Sequence, residues 1–210
     1  MKKTLIIGFG IIMTILVLWL IRIEYIEKHR LYLEIDPAKI VQDETEAGFS
    51  NMLLGLSWEE IQEKTDYSFS EQPYSIDDQN DPWKVMTRGV SYVLLYKDRS
   101  VVVKYEGFRG HMILKFRDQK LVGIYVIFGT EPDTQEKRMD YDGVKNDPET
   151  LFDDLCSEFN RYLAPQGQQP FRTEYAGGPV VGWKNGLLVI YEKDGKENER
   201  IVLAIQEMEK

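Results

Sequence analysis

Two polar segments of this chain contain the carboxylates that could do chemistry. The first, Asp77–Asp81, places three aspartates within five positions, and Asp140 and Asp142 lie in the second. Carboxylate oxygens bind Ca²⁺ and can act as general acids and bases in hydrolysis. An EF-hand counted from the first aspartate would need glycine and glutamate where Pro82 and Arg88 stand, so that motif is excluded. A looser calcium site, a carboxylate-based hydrolase and a solvated acidic surface remain open.

The first segment also carries aromatic side chains. It belongs to a polar stretch, Ser68–Arg88, that is longer than most connections in compact domains, and such loops are commonly functional. Tryptophan and tyrosine are enriched where proteins dock. We therefore predict an interaction surface formed by Tyr74, Asp77, Asp78, Asp81 and Trp83. In the alternative interpretation, Trp83 packs back onto the sheet and pins the loop, because burying a large aromatic ring is strongly favourable.

Histidine and cysteine are scarce in this chain. His29, His111 and Cys156 are the only residues of these two types, which leaves too few ligands for an ordinary zinc site. A catalytic thiol would need His111 beside Cys156 as its base. The sequence contains neither a phosphate-binding loop, nor a dinucleotide fingerprint, nor a G-x-S-x-G elbow. We predict no catalytic residue, no metal ligand and no cofactor, and we interpret Cys156 as a packed thiol.

Alternation of apolar and polar residues predicts seven strands. They cover residues 90–97, 101–106, 111–117, 121–128, 180–184, 187–192 and 201–207. Short turns between most of them are typical of an antiparallel meander. Asn185-Gly186 predicts a type I′ turn, since both residues tolerate the positive φ that this turn requires.

Two amphipathic helices are predicted to pack on this sheet. Ser57 and Glu60 have the spacing of a capping box at the start of a short helix. The second helix, Pro148–Leu163, repeats an apolar residue every four positions on one face. The predicted fold class is therefore α+β, with an antiparallel sheet of about seven strands and two packed helices, preceded by one transmembrane helix.

The transmembrane helix is predicted from an uncharged run near the start of the chain. Thr4–Ile21 contains no charged residue and is flanked by Lys2, Lys3 and Arg22. A run of this length can cross the hydrocarbon core of a bilayer. No small-residue cleavage site follows it, since the first alanine is Ala38. We predict an uncleaved, single-pass signal-anchor, with the membrane as a partner of residues 4–21.

The segment after this run is predicted to be a stalk and a connector. Arg22–Leu33 should continue the helix, Pro37 should end it, and residues 38–54 should form a connector with a short strand around 39–41. Basic residues are nearly balanced on the two sides of the anchor. We favour an extracytoplasmic domain, and a domain that faces the cytoplasm is the alternative.

Charge separates the anchor from the domain. The whole chain has 26 basic and 35 acidic residues. Residues 1–30, the anchor and stalk, hold five of the basic and two of the acidic residues. The domain at 31–210 therefore has 21 basic and 33 acidic residues. Such an acidic surface repels phosphate backbones, so nucleic acid is not an expected partner. It also repels anionic lipid headgroups, so the domain is expected to stand off the membrane.

Two parts of the domain resemble each other. Tyr96–Glu106 and Trp183–Glu192 each contain an aromatic-Lys-Asx turn followed by an apolar run that ends in Tyr-Glu. A pseudo-repeat of 50–130 and 147–208 is one interpretation, and a chance likeness of two amphipathic hairpins is the other.

A family resemblance rests on Gly55–Ile61. This segment, GLSWEEI, resembles the helix opening of the SmpA/OmlA family of small envelope lipoproteins, and the tandem helix-plus-sheet order is similar to the β-lactamase-inhibitor-protein fold. The resemblance implies a non-enzymatic envelope protein that binds other proteins through its sheet. This chain departs from the family pattern in having a transmembrane anchor in place of a lipidated cysteine, and more strands after the first helix.

Together these observations predict a binding function rather than catalysis. We expect a single-pass protein of the cell membrane whose domain binds another envelope protein or a cell-wall component. The alternatives are a carboxylate-based envelope hydrolase and an immunity-type protein that neutralises a toxin.

Overall fold

The structure, a computed structural model, describes residues 2–28, 30–42, 53–65, 67–69, 90–96, 99–128, 148–175, 177–194 and 198–206. In these ranges the helices are α1 Lys2–Lys28, α2 Pro37–Gln42, α3 Trp58–Lys64 and α4 Pro148–Leu163. The strands there are β1 Arg30–Glu34, β2 Tyr67–Phe69, β3 Val90–Tyr96, β4 Arg99–Tyr105, β5 Phe108–Arg117, β6 Lys120–Phe128, β7 Phe171–Tyr175, β8 Gly178–Gly182, β9 Leu187–Asp194 and β10 Asn198–Gln206.

All of these strands belong to one sheet. Its order is β1-β4-β3-β5-β6-β10-β9-β8-β7, with β2 paired to β3 and an additional pairing between β4 and β5. The β1–β4 pair is parallel, and the other pairs are antiparallel. β6 and β10 lie side by side at the centre, so the meander before α4 and the meander after it form a continuous surface.

The larger hydrophobic core lies between one face of the sheet and the helices α2, α3 and α4. Every fourth residue of α4 is fully buried there: Leu151, Leu155, Phe159 and Leu163. Phe159 packs its ring 6.0 Å from the ring of Trp183, which is itself fully buried. The predicted apolar stripe of this helix is therefore confirmed, and it faces the core as its 3.6-residue period requires.

A second, smaller cluster lies on the opposite face of the sheet. Alternate residues of the central strands form it, because successive side chains of a strand point to opposite faces. Its buried members are Ile113, Tyr125, Ile127, Val180, Leu188, Ile190, Val202 and Ala204, and Tyr175 packs against them. Both faces of the central sheet are thus buried.

The α+β class and the two packed helices are confirmed, but the sheet is larger than predicted. Each of the seven predicted strands is present, and β1, β2 and β7 are additional strands in the described ranges. The expected capping box is also present, with the Glu60 amide donating to Ser57 Oγ and the Ser57 amide donating to Glu60 Oε2.

The predicted stalk and connector are wrong in two places. The helix ends at Lys28, and residues 30–34 form a strand instead of continuing the stalk. Five residues of this strand pair with β4 in parallel, and this pairing provides hydrogen-bond partners for the backbone groups that a helix would have satisfied. Pro37 begins α2 rather than ending a helix, and no strand forms at 39–41. Asp36 caps α2 by accepting a hydrogen bond from the Ala38 amide at 2.9 Å, and proline is favourable at the first helical position.

The turn chemistry also differs from the prediction. At Asn185-Gly186 only Gly186 has a positive φ, so the turn is not type I′. Paired positive φ values occur instead at Glu106-Gly107 and Asp118-Gln119, the two-residue loops of the β4–β5 and β5–β6 hairpins. Hairpin closure imposes these conformations on Glu106 and Gln119, whose side chains do not favour a positive φ, whereas the aspartate at position 118 tolerates one.

Membrane crossing by α1 stays a prediction. Among the residues whose side chains the structure describes, which in α1 are 12–25 and Lys28, no helix is long and apolar enough to span a membrane.

Candidate recognition surface

The residues predicted for recognition lie outside the described residues. Tyr74, Asp77, Asp78, Asp81 and Trp83 all fall in the gap at 70–89, and Asp140 and Asp142 fall in the gap at 129–147. Their role stays a prediction. What the structure fixes is where these two segments leave the sheet.

The first acidic segment lies between β2 and β3, and the second begins at the end of β6. The first joins β3 at Val90, which pairs with Phe116, and Phe116 pairs in turn with Leu121 near the start of β6. The second leaves the sheet at Phe128, the last residue of β6. Leu121 and Phe128 are seven residues apart, or roughly 23 Å along an extended strand. Val90 thus lies about this far along the strands from Phe128, whereas Phe69, after which the first segment begins, pairs with Leu94 nearer the Phe128 end.

The junction between α1 and β1 is a feature that the sequence analysis missed. Only one residue separates the end of α1 at Lys28 from the start of β1 at Arg30. On β1, the ring of Tyr32 lies 3.9 Å from Lys104 Nζ and 5.4 Å from the guanidinium carbon of Arg109. These cation–π contacts hold the strand against β4 and β5. The first helix is thus attached directly to the sheet.

The described side chains of α1 are exposed on every face of the helix. Each residue from Ile12 to Tyr25 is exposed, including the large apolar residues Ile15, Leu18 and Trp19. A helix that is apolar all round is typical of a buried or membrane-embedded segment. Within the described ranges, the rest of the domain does not cover this helix.

A tyrosine closes one end of the second face. The Tyr125 ring folds back over Gly123, where an added Cβ would lie 2.6 Å from the tyrosine hydroxyl oxygen, and the hydroxyl donates to Gln206 Oε1 at 3.2 Å. Burial raises the pKa of Tyr125; Arg117 opposes this rise and Tyr175 adds to it. At neutral pH the hydroxyl is therefore protonated and acts as a hydrogen-bond donor.

At the other end of the second face is a buried ion pair. Glu192 is almost fully buried on β9 and pairs with Arg200, its cross-strand neighbour on β10. A buried carboxylate needs such a partner, because leaving it unpaired is strongly unfavourable. The pair fixes the β9–β10 register, so its role on the second face is structural.

Cys156 is held as a thiol by its surroundings on α4. Burial raises its pKa to about 12; Asp153 adds to this rise and Arg172 opposes it. A nucleophilic cysteine has a lowered pKa, so this one is not activated. The pKa of Tyr105 is also raised to about 12. Burial is the largest cause, and the nearby carboxylates of Glu106, Glu158 and Asp154 add to it.

Metal ligands do not cluster in the described part of the chain. No group of three or more histidine, cysteine, aspartate or glutamate side chains there could hold a metal ion. His111 lies in the middle of β5 rather than at its start, and His29 falls between α1 and β1, outside the described residues.

β7, at one end of the strand order, has an open edge within the described ranges. β7 pairs with β8 on one side, and no described strand pairs with its other side. Phe171, Arg172, Thr173 and Glu174 are all exposed, and Phe171 retains 40% of its accessible surface. Sequence alternation did not identify this strand, since its mixture of charged and polar residues does not have the pattern of a half-buried strand.

Comparison with known proteins finds no matching family model, no matching curated protein and no matching solved structure. The likeness of Gly55–Ile61 to the SmpA/OmlA helix opening stays a hypothesis.

Proposed function

We propose that this chain is a single-pass protein of the cell membrane that presents an extracytoplasmic binding domain at the end of its anchor. The observation that carries the proposal is the direct passage from α1 into β1. An apolar helix exposed from Ile12 to Tyr25 leads, across one residue, into a strand paired over five positions with β4. Lipid would cover the apolar helix and remove its side chains from water.

The short connection has a mechanical consequence. If residues 4–21 occupy the hydrocarbon core, the remaining helix up to Lys28 rises roughly 10 Å at about 1.5 Å per residue. β1 would then begin close to the headgroup region. The attached end of the domain would lie near the membrane, while the acidic surface keeps the rest of the domain off anionic headgroups. Its partner would be another envelope protein or a cell-wall component within reach of that position.

Binding is our preferred interpretation because the first acidic segment combines its aspartates with Tyr74 and Trp83. Tyrosine and tryptophan are enriched where proteins dock. We therefore place recognition on the segment that contains Tyr74, Asp77, Asp78, Asp81 and Trp83.

Topology can be tested by fusing alkaline phosphatase after Lys210 of the full chain. This reporter is active only outside the cytoplasm, so we expect an active fusion. A fusion that begins at Leu31 and lacks the anchor provides the inactive control. An expressed but inactive full-length fusion would show that the orientation is wrong.

Recognition can be tested by placing a photo-crosslinking amino acid at position 83 of the full chain in its native membrane. We expect a discrete adduct with one envelope protein or with cell-wall material. The same probe at Gln169, an exposed residue before β7, serves as the control. Identical adducts from the two positions, or none from position 83, would contradict the proposed recognition site.

A further inference from the structure

β7 presents an exposed edge whose residues complement themselves. The strand reads FRTEY. Arg172 precedes the central Thr173 and Glu174 follows it, and an aromatic residue stands at each end. Exposed edge strands are templates for pairing with another strand. Within the described ranges, neither Arg172 nor Glu174 has an ion pair. Both side chains are exposed, so their charges can be reached by a strand that docks on this edge.

Symmetry restricts how two copies of this edge can pair. A two-fold axis along the sheet normal keeps each face of the sheet on the same side in both copies. Directly opposite residues of an antiparallel pair share a face, so the axis must pass through one residue rather than between two. All five residues of β7 are paired only when that residue is the middle one, Thr173.

In this register every opposed pair is favourable. Arg172 lies opposite the partner's Glu174, and Glu174 lies opposite the partner's Arg172, on the face that carries α4. Phe171 lies opposite the partner's Tyr175 on the second face. Cross-strand pairs of opposite charge and of two aromatic rings both stabilise antiparallel sheets. Thr173 meets its own symmetry mate at the axis.

We propose that two copies of this chain associate by antiparallel pairing of their β7 strands, centred on Thr173. The aromatic pairs extend the second-face cluster across the axis, since Tyr175 already packs against that cluster and Phe171 lies over Gly182, where an added Cβ would be 2.3 Å from its ring. The arginine–glutamate pairs favour a second copy over an unrelated peptide. In this register the arginine and the glutamate of one strand each lie opposite the contrary charge of an identical strand.

The interface is small. Five paired residues bury less area than the roughly 1,200 Å² at which stable interfaces begin, so the dimer is a transient one. A covalent trap is therefore a better probe than sizing. Thr173→Cys in a Cys156→Ala background places two cysteines opposite each other, where antiparallel Cα atoms lie about 4.5 to 5.5 Å apart. This separation is within the range of a disulfide.

The experiment uses the full chain in membranes under mild oxidation, with dimer formation followed on non-reducing gels. We expect Thr173→Cys to cross-link and Gln169→Cys, exposed but outside the paired segment, to cross-link at least about tenfold more slowly. Adding Arg172→Glu or Glu174→Arg to Thr173→Cys should slow the reaction roughly fivefold or more, because each creates like-charge pairs. Combining Arg172→Glu and Glu174→Arg on Thr173→Cys should restore the cross-linking rate to within about twofold of that of Thr173→Cys alone.

Four outcomes would overturn the proposal. Equal cross-linking at positions 173 and 169 would indicate random collision in the membrane. Single charge swaps without effect, or a double swap no better than the single swaps, would show that this register does not form. Absence of any cross-link at position 173, with the variant folded by circular dichroism, would show that β7 does not pair with itself.

Discussion

Cys156 shows how packing of α4 controls the reactivity of a single residue. Its pKa of about 12 lies three pH units above the ordinary value of 9.0, so a thousandfold smaller fraction is thiolate at neutral pH. We expect a thiol reagent at pH 8 to label the folded chain roughly a thousandfold more slowly than the chain in denaturant. Labelling of the folded chain at the rate of the unfolded one would show that the thiol is accessible and activated.

Trp83 offers a second prediction at this scale. If it contacts a partner, Trp83→Ala should leave the melting temperature nearly unchanged and weaken partner binding by about 2 kcal/mol or more, the scale of an interface hot spot. Thermal unfolding of the full chain and quantified cross-linking to the partner measure the two effects. A large fall in the melting temperature would show instead that the indole is part of the core.

Among the elements, β1 is the one that joins the anchor to the domain, and Tyr32 holds it in place. Tyr32→Ala removes the contacts with Lys104 and Arg109 and should weaken β1 docking by about 1 kcal/mol. Hydrogen exchange of the β1 amides in the full chain should become several-fold faster. Tyr162→Ala, which removes a ring 5.6 Å from Arg161 on α4, is the matched control and should leave β1 exchange unchanged.

The start of α3 depends on its capping box. Ser57→Ala removes the acceptor for the Glu60 amide and should lower the free energy of unfolding by about 1 kcal/mol. Urea denaturation of the full chain in detergent measures this change. Glu63→Ala, an exposed substitution on the same helix outside the box, should have a smaller effect. Equal effects of the two substitutions would mean that the cap contributes nothing specific.

At the scale of the whole molecule, the buried hydroxyls and the thiol make the fold sensitive to alkali. Tyr105 and Cys156 have pKa values of about 12 in the folded chain, against 10.0 and 9.0 as ordinary values. A raised pKa means that the folded state holds the proton more tightly than the unfolded state. The stabilisation is therefore fully present below pH 9, declines as the unfolded thiol ionises, and is lost as pH approaches 12.

We expect the free energy of unfolding to fall progressively above pH 9. Tyr105→Phe keeps the ring and removes the ionisable group, so its stability should fall less steeply between pH 10 and 12 than that of the parent chain. Chemical denaturation at a series of pH values measures both slopes. A steeper fall for Tyr105→Phe, or a flat profile of the parent to pH 12, would contradict this assignment.

The sequence by itself determined the elements whose signals are local. The seven alternating strands and the α4 stripe follow from side-chain periodicity, which reflects which face of an element is buried. The Ser57–Glu60 box also follows from sequence, because both of its partners lie within one helical turn. The uncharged run of Thr4–Ile21 likewise predicted a helix, and α1 covers it.

Only the tertiary structure decided the features that depend on distant partners. β1 forms because β4, some seventy residues away in sequence, satisfies its backbone groups, and β7 forms because β8 does the same. The positive φ values of Glu106 and Gln119 are imposed by the hairpins that they close. The self-complementary edge of β7 likewise depends on strand order. A linear pattern does not encode strand order, because pairing joins residues that are far apart in the chain.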